Sequence, residues 1–365
     1  MSEAAPASPS SRRKRAKRIA QAAVSIVVVV GIFAIAIPKI ADYSAVWKTI
    51  QGLTWLEFAS LFVAMVFNLF TYWLANIAAL PGLRLGQAAV VTQTTTTVAN
   101  SVPAGGAVAV GLTYTILGSW GFHASSISLY VLVTGVWNVF LKLGLPVISM
   151  GLLALGGHLS SALLLAALIG VLVLAAAITL FGLMLWKKTF ARRIGDVLGR
   201  LASFFLRLVR RKPIEGLGEA AVRFRKQTIR LVVKRWPWLT ITTVISHLSL
   251  FLVLLLSLRH VGISEHEVSS VHVLAVFAFG RLISALPITP GGLGVVELGY
   301  IGGLVAAGGD KPQAVAAVLL FRTLTYLIQI PLGGLTYAIW RGKRSWRKQP
   351  PELPPTELEP ALLDA

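Results

Sequence analysis

Cysteine and charged side chains are what this sequence lacks. The 365-residue chain contains no cysteine, so disulfide bonds, thiolate metal sites and cysteine nucleophiles are excluded. Only 13% of the residues are charged and 56% are hydrophobic, which is too little charge to cover the surface of a soluble protein of this size. Apolar runs of about 20 residues, the length that spans a bilayer core, occur several times. The sequence therefore predicts an all-α polytopic membrane protein.

Acidic residues are scarcer than basic ones, with 14 Asp and Glu against 34 Lys and Arg and a net charge of +20. Most of the basic residues lie in three blocks, with six in 12–18, fifteen in 187–235 and five in 341–348. Nucleic-acid binding is one interpretation of such blocks. In a membrane protein they indicate cytoplasmic loops, because basic loops stay on the inner side. We therefore expect no nucleic-acid partner, a plasma-membrane location and both termini in the cytoplasm.

Six apolar segments have the length and composition of membrane spans. The first follows a basic segment, and a cleaved signal peptide is the alternative interpretation. That run is longer than a usual signal core and ends at Pro38 without a clear cleavage site. The predicted domains are a disordered basic N-terminus over 1–18, a membrane domain over 19–341 and a disordered tail over 342–365. The six predicted spans are 19–37, 55–80, 126–155, 159–186, 238–258 and 313–340.

Two further apolar segments are interrupted by proline and glycine, at 100–108 and at 286–299. Proline removes a backbone donor and clashes with the preceding turn, so neither break continues a helix. Counting crossings between the basic loops leaves no net crossing for either segment. We therefore expect two re-entrant helical hairpins of opposite orientation, in addition to about six transmembrane helices. Such a pair is typical of an inverted-repeat transporter, whose substrate site lies at the repeat interface.

The second basic block carries an amphipathic pattern. Apolar residues recur at three- and four-residue steps from Ile194 to Leu208, and arginines occupy much of the other face. This pattern favours a helix on the inner membrane surface, with anionic inner-leaflet lipids as partners of the 187–235 loop. A solvated cytoplasmic loop is the alternative.

Few ionisable residues lie well inside the apolar segments, namely Glu297, Lys142, Arg281 and Arg322. A lone charge in lipid is costly, so each should pair or line a wet cavity. The functional interpretation is an anion-binding cavity in which Arg281 and Arg322 hold a phosphate, helped by backbone N–H groups at the broken helices. The alternative is a static ion pair between Glu297 and an arginine that locks the hairpin to the last span.

Glu297 has three roles open to it: holding a cationic head group, carrying a coupling proton, or neutralising an arginine. Lys142 is a weaker candidate, because a lysine can also snorkel or pair within the bundle. The predicted substrate-binding residues are Arg281, Arg322, Glu297, Lys142, Asn100, Pro103, Gly105, Gly106, Thr289, Pro290, Gly291, Gly292 and Gly294.

Neutral polar residues also occur at membrane depth. Asn68, Asn138, Gln93 and the run Thr94–Thr97 either form interhelical hydrogen bonds or line a cavity, and the sequence leaves both open. His247 is interpreted as a hydrogen-bonded packing residue rather than a proton relay. The intramembrane set offers one carboxylate and no His/Asp grouping, so we expect no enzyme activity, metal or cofactor.

Three motifs resemble a known family. They are ALPITPGGLGVVELG at 285–299, NSVPAGGAV at 100–108 and LLFRTLTYLIQIPLG at 319–333. They are similar to the membrane region of lysylphosphatidylglycerol synthases, the flippase-like domain of the multiple peptide resistance factor family, over about residues 20–345. By motif match the resemblance points to Pro290, Gly291, Gly292, Gly294, Glu297 and Arg322.

The resemblance implies movement of lipids between leaflets, for example an aminoacylated phosphatidylglycerol or an isoprenoid-linked sugar. The full synthases carry a large soluble aminoacyltransferase domain, whereas only a short acidic tail follows the last span here, so we do not expect aminoacyl transfer. Three functions stay open from the sequence: a lipid translocator, a membrane-embedded transferase acting on a lipid phosphate, and a membrane partner of a cytoplasmic transferase that docks on the 187–235 loop. We expect the first.

Overall fold

The computed structural model describes residues 43–102, 105–157, 161–208, 216–285, 289–343 and 345–346, without the side chains of 161–164, 166, 204–208 and 290. The predicted first span, the first basic block, both chain ends and Pro103 lie outside the described residues.

The described residues form helices and no strand, as predicted for an all-α membrane protein. In chain order the helices are α1 (Tyr43–Gln51), α2 (Trp55–Ala79), α3 (Leu85–Ser101), α4 (Gly105–Ser119), α5 (Ala124–Leu155), α6 (Ser161–Trp186), α7 (Lys188–Leu208), α8 (Leu217–His260), α9 (Ser270–Ile283), α10 (Val295–Ala306), α11 (Lys311–Arg322) and α12 (Gln329–Gly342), with a 3-10 turn at Pro290–Gly292 and a π-turn at Thr323–Leu327.

Five helical segments in the described part of the chain are long and apolar enough to cross a membrane. They coincide with the five predicted spans that the structure describes, so the chain is a polytopic membrane protein. The five segments are Trp55–Ala79, Ala124–Leu155, Ala167–Trp186, Leu217–His260 and Lys311–Gly342.

Each segment predicted as an interrupted hairpin is a pair of helices of 17 residues or fewer, shorter than the about 20 residues typical of a membrane span. Helices α3 and α4 flank the first break, and α9 and α10 flank the second. Ser269 caps α9 by accepting a hydrogen bond from the backbone N–H of His272. The opposite orientation of the two pairs stays a prediction.

Two stretches that the sequence assigned to loops are helical. The connection between the first two predicted spans contains α1, which packs against α11 and buries Val46. The later part of the basic loop is the start of α8, which runs on through Pro237 into the membrane span. A proline within a helix removes one backbone hydrogen bond, and the remaining turns of this 44-residue helix continue past it.

The chain divides into two compact units. The first contains the described residues up to Phe67, Gln93–Leu112 and Ser249–Ile339. Its core lies where α10 packs on α9 and α11, and the rings of Tyr300 and Phe321 meet edge to face at 5.6 Å. Asp310 is the N-cap of α11, and its carboxylate accepts from the backbone N–H of Gln313.

The second unit contains Asn68–Thr92, Thr113–Leu248 and the described residues from Trp340 onward. Helices α5 and α6 pack together, with the rings of Phe140 and Phe181 5.5 Å apart. The most apolar part of α6 is not buried by the described residues of the protein, as expected of a span that faces lipid.

Candidate functional site

The second break sits at the junction of α9 and α10, within the first unit. The 3-10 turn Pro290–Gly292 carries the chain from the end of α9 toward α10. Thr289 is buried and its hydroxyl donates to the carbonyl of Leu293 at 2.8 Å. Gly294 is the N-cap of α10 and has φ 81°, a conformation that favours glycine. The break therefore ends at the N-terminus of α10, which carries a partial positive charge.

Glu297 and Arg322 form an ion pair beside this break. The Nε of Arg322 donates to Oε1 of Glu297 at 2.6 Å. Only 1% of the Glu297 side chain and 15% of the Arg322 side chain are exposed. Glu297 lies in the first turn of α10 and Arg322 in the last turn of α11, so both charges also suit the dipole of their own helix. The pair joins the second hairpin to the last span.

Tyr326 completes the surroundings of Arg322. Its ring lies 4.5 Å from the guanidinium carbon, within the range of a cation–π interaction. Arg322 also donates through Nη2 to the carbonyl of Gly291 at 3.3 Å. A Cβ at Gly291 would lie 2.3 Å from a ring carbon of Tyr326, and Gly291 has φ 60°, so only glycine fits this position. The second break therefore packs directly against the ring of Tyr326.

The same tyrosine reaches the first break. The hydroxyl of Tyr326 donates to the carbonyl of Asn100 at 2.8 Å, one turn or less before the break. Tyr326 thus contacts both breaks, with its ring on Gly291 and its hydroxyl on Asn100. The π-turn that contains Tyr326 is a kind of helix irregularity that is frequent at functional sites.

Helix α3 also contacts α12 through polar side chains. Thr97 donates to the carbonyl of Gln329 at 2.7 Å, and the hydroxyls of Thr94 and Thr336 are 3.0 Å apart. Gly333 lets the two helices approach closely, since a Cβ there would lie 2.0 Å from the hydroxyl oxygen of Thr97. Two members of the threonine run thus form interhelical hydrogen bonds.

The ion pair leaves one carboxylate oxygen and three guanidinium N–H groups without a partner among the described residues. Oε2 of Glu297 is buried and has no hydrogen-bond partner among them. Arg322 uses Nε for Glu297 and Nη2 for Gly291, while Nη1 has no acceptor in the described part of the chain. A buried polar atom without a partner, as Oε2 of Glu297 is here, is rare in proteins. A neutral or anionic group could accept from Nη1, and a hydrogen-bond donor could reach Oε2.

The remaining predicted site residues lie in several places. Gly105 is buried at the start of α4, with its N–H donating to the carbonyl of Val102 at 2.8 Å, and Gly106 next to it is exposed. Gly292 is buried in the 3-10 turn, and the side chain of Pro290 is outside the described residues.

Two predicted cations are not placed in the ion pair. Arg281 is half-buried in the last turn of α9, where its carbonyl accepts from the hydroxyl of Ser284. Lys142 is half-buried within α5, in the second unit.

Tyr326 is the residue that sequence reasoning missed. It lies four positions after Arg322, a spacing that places two side chains on one face of a helix, and this spacing was the available signal. The close contact of Gly333 with α3 had no comparable signal, because the partner helix is more than 200 residues away along the chain.

A second polar cluster lies in the second unit, within the spans α2, α5 and α8. Asn68 donates to the carbonyl of Ser246 at 3.0 Å, and Tyr130 donates to Asn76 at 2.8 Å. A small cavity beside these contacts is lined by Asn138 and by residues of all three helices. His247 is buried with Nδ1 3.0 Å from the carbonyl of Thr243. This cluster contains no charge and works mainly as interhelical hydrogen bonding.

A comparison with protein families identifies a match over most of the chain. A family model described as the lysylphosphatidylglycerol synthase TM region matches residues 21–333, a stretch that includes both breaks and the ion pair. A search of curated proteins finds no match.

Proposed function

This chain belongs to the lysylphosphatidylglycerol synthase TM region family, and from that premise we propose that it moves a lipid head group between the two leaflets of a membrane. The resemblance of the three sequence motifs is confirmed by the match over residues 21–333. The family is one of lipid-modifying and flippase-like membrane proteins. Lipid translocation by this chain is our inference.

One observation carries the proposal: both broken segments converge on Tyr326, next to a charge pair with unused hydrogen-bonding capacity. Broken helices at membrane depth are typical of transporter substrate sites, because their termini present backbone dipoles to the substrate. A helical bundle can pack stably without a π-turn and without two helix breaks that contact the same side chain.

We assign the phosphate of the lipid to Arg322. Its Nη1 points to no acceptor in the described residues, and the guanidinium fork suits phosphate. The positive N-terminal end of α10 lies close by, where Glu297 occupies the first turn. The head group would pass between the hairpin tips, while the acyl chains stay in the bilayer.

Glu297 would hold Arg322 in place when no lipid is bound. As a phosphate approaches, the arginine can share its donors between the carboxylate and the phosphate, since three of its five N–H groups are not used by Glu297 or Gly291. This makes the ion pair part of the site and not only a structural lock.

A direct test uses purified protein in vesicles that contain a head-group-labelled fluorescent phosphatidylglycerol. A membrane-impermeant reductant bleaches only the outer leaflet unless the protein brings inner-leaflet lipid out. We expect protein-dependent bleaching of the inner-leaflet label, compared with protein-free vesicles. Bleaching that stops at the outer-leaflet fraction contradicts the proposal.

The same vesicles separate the translocator from the two other functions. Mass spectrometry of the extracted lipids would reveal a new lipid species if the chain were a transferase. Co-purification of a lipid-modifying enzyme with the 187–235 region, without lipid movement, would favour a partner subunit.

We further propose the plasma membrane as the location, with both termini in the cytoplasm. The support is the distribution of basic residues, fifteen of which fall in 187–235. The chain has no native cysteine, so single cysteines can be labelled from either side of the membrane. A cysteine at His266 should react with an impermeant reagent from outside, and one at Lys226 only after permeabilisation.

A further inference from the structure

Helix α7 presents three different stripes, and one of them, made of small residues, packs against the start of α8. The small-residue stripe consists of Ala191, Gly195 and Gly199, all buried. A Cβ at Gly195 would lie 2.4 Å from the carbonyl oxygen of Leu217, so α7 is pressed against the start of α8 along this stripe. Small residues therefore allow the close contact between α7 and α8.

Three large apolar side chains of α7 point away from that contact. This apolar stripe consists of Val197, Leu198 and Leu201, which are 45%, 56% and 52% exposed. The helix of a soluble loop would turn such a stripe onto its own protein, because burial of apolar surface stabilises folding. Here the protein instead covers glycine and alanine.

A basic stripe flanks the apolar stripe. Arg192, Arg193 and Arg200 are all exposed, and Asp196 is the one acidic residue in Lys188–Leu208. The region 187–235 as a whole contains fifteen basic and three acidic residues. An apolar stripe beside a row of arginines is the pattern of a helix that lies in a membrane interface.

The position of α7 in the chain indicates that membrane lipid covers the apolar stripe. The candidate span Ala167–Trp186 ends two residues before α7 begins, and Trp186 is 76% exposed, as expected of an interfacial tryptophan. The Nζ of Lys187 lies 5.9 Å from the Trp186 ring. Arg225 of α8 donates to the carbonyl of Trp186 at 2.8 Å, so the end of the span is tied to the same group of helices.

We infer that α7 lies in the plane of an anionic leaflet, with the apolar stripe among the upper acyl chains and the basic stripe on the lipid phosphates. The partner is the lipid surface itself and not a protein, since the helix starts where a span ends. This docking surface is separate from the Arg322 site and holds whether or not the chain moves lipids.

The absence of cysteine makes a clean test possible with the full chain. Leu198→Cys and Arg193→Cys each place one label on α7, on the apolar and on the basic stripe. An environment-sensitive fluorophore is attached, and the protein is placed in vesicles of phosphatidylglycerol and phosphatidylcholine that contain lipid spin-labelled on the upper part of an acyl chain. We expect several-fold stronger quenching at position 198 than at position 193, and a blue-shifted emission at 198.

Charge dependence is tested with two variants of Leu198→Cys. Arg192→Gln/Arg193→Gln/Arg200→Gln should lower the quenching at 198 toward its value in vesicles of phosphatidylcholine alone. The control Lys311→Gln changes an exposed lysine at the start of α11 and should leave the quenching at position 198 unchanged. Thermal unfolding in detergent checks that each variant is folded.

Equal quenching at positions 193 and 198, together with equal access of both labels to aqueous iodide, overturns the inference and makes α7 a solvated helix. Quenching at 198 that is the same in anionic and neutral vesicles overturns the assignment to anionic lipid.

Discussion

Arg322 contacts a carboxylate, a backbone carbonyl and an aromatic ring at the same time. Removal of one partner from a buried ion pair leaves the other charge unpaired, which is strongly destabilising, whereas replacement of both is often neutral. The pair therefore offers a way to separate folding from function at the scale of single side chains.

Arg322→Met should lower the free energy of unfolding by about 3–5 kcal/mol, because Glu297 stays buried without a counter-charge. The double variant Arg322→Met/Glu297→Gln should recover most of that loss. Thermal or denaturant unfolding in detergent measures both, with Lys311→Met as an exposed control. If the single variant is as stable as the wild type, Glu297 is not held as a buried carboxylate.

Tyr326 can be tested in two steps, because its ring and its hydroxyl have different partners. Tyr326→Phe removes the donor to the Asn100 carbonyl and keeps the ring on Arg322, and should cost about 1 kcal/mol. Tyr326→Leu also removes the ring that packs on Gly291 and should cost clearly more. Equal unfolding free energies for the two variants would mean that the ring contributes nothing.

At the scale of elements, the contact of α3 with α12 depends on one glycine and not on its neighbour. Gly333→Ala brings a Cβ to 2.0 Å from the Thr97 hydroxyl and 2.7 Å from the Gln93 carbonyl, so the helices must separate. We expect a loss of about 1–3 kcal/mol, as for other overpacked contacts. Gly334 has nothing within 4 Å of the same position.

Gly334→Ala is therefore the matched control, and it should be neutral or slightly stabilising because alanine favours a helix over glycine. The melting temperature in detergent measures both variants. If the two alanines have the same effect, α3 and α12 do not pack through Gly333.

The loop between α8 and α9 is ordered by two carboxylates. Hydrogen bonds from the Ser270 hydroxyl and backbone, and then the charge of Arg259, lower the pKa of Glu265. Hydrogen bonds from the backbone and hydroxyl of Ser264 lower the pKa of Glu267. Arg259 additionally donates to the carbonyls of Ile263 and Ser264.

A carboxylate whose pKa is lowered on folding stabilises the loop above its unfolded pKa of about 4.3, and this stabilisation is lost as the pH falls through the folded value. Amide hydrogen exchange at Ser264 and Ser270, corrected for the intrinsic rate, should therefore speed up below about pH 4. In Glu265→Gln the change at Ser270 should be smaller. Protection that is independent of pH would contradict this account.

Much of the helical plan could be read from the sequence, since each span is a continuous apolar run and each break carries both proline and glycine. The helical start of α8 could not be predicted, because its basic residues are typical of a cytoplasmic loop. In the structure this segment and the membrane span form one helix that continues through Pro237. The irregular turn at Thr323–Leu327 was also hidden inside a run that looked like one span.

The charged residues of the candidate site could be predicted from the sequence, but their contacts could not. Glu297 and Arg322 stand out because carboxylates and guanidinium groups are rare in apolar segments. Which arginine pairs with Glu297, and that an aromatic ring joins the two breaks, depends on contacts between segments far apart in the chain. Tertiary packing decides such contacts, and local sequence does not encode them.

At the scale of the whole molecule, two breaks that are 187 positions apart, from Pro103 to Pro290, belong to one family-matched membrane region. Tyr326 and Arg322 lie on the last described span, so this span connects the chemistry of the site to both breaks. The account therefore depends on Arg322 contacting the lipid that moves.

The most direct measurement is the rate of fluorescent phosphatidylglycerol movement in vesicles for Arg322→Met/Glu297→Gln, next to the wild type. The double variant should be nearly as stable as the wild type, so a change in rate cannot be assigned to unfolding. We predict that its rate falls at least tenfold, to near that of protein-free vesicles. A double variant that moves the lipid at the wild-type rate would contradict the role assigned to this site.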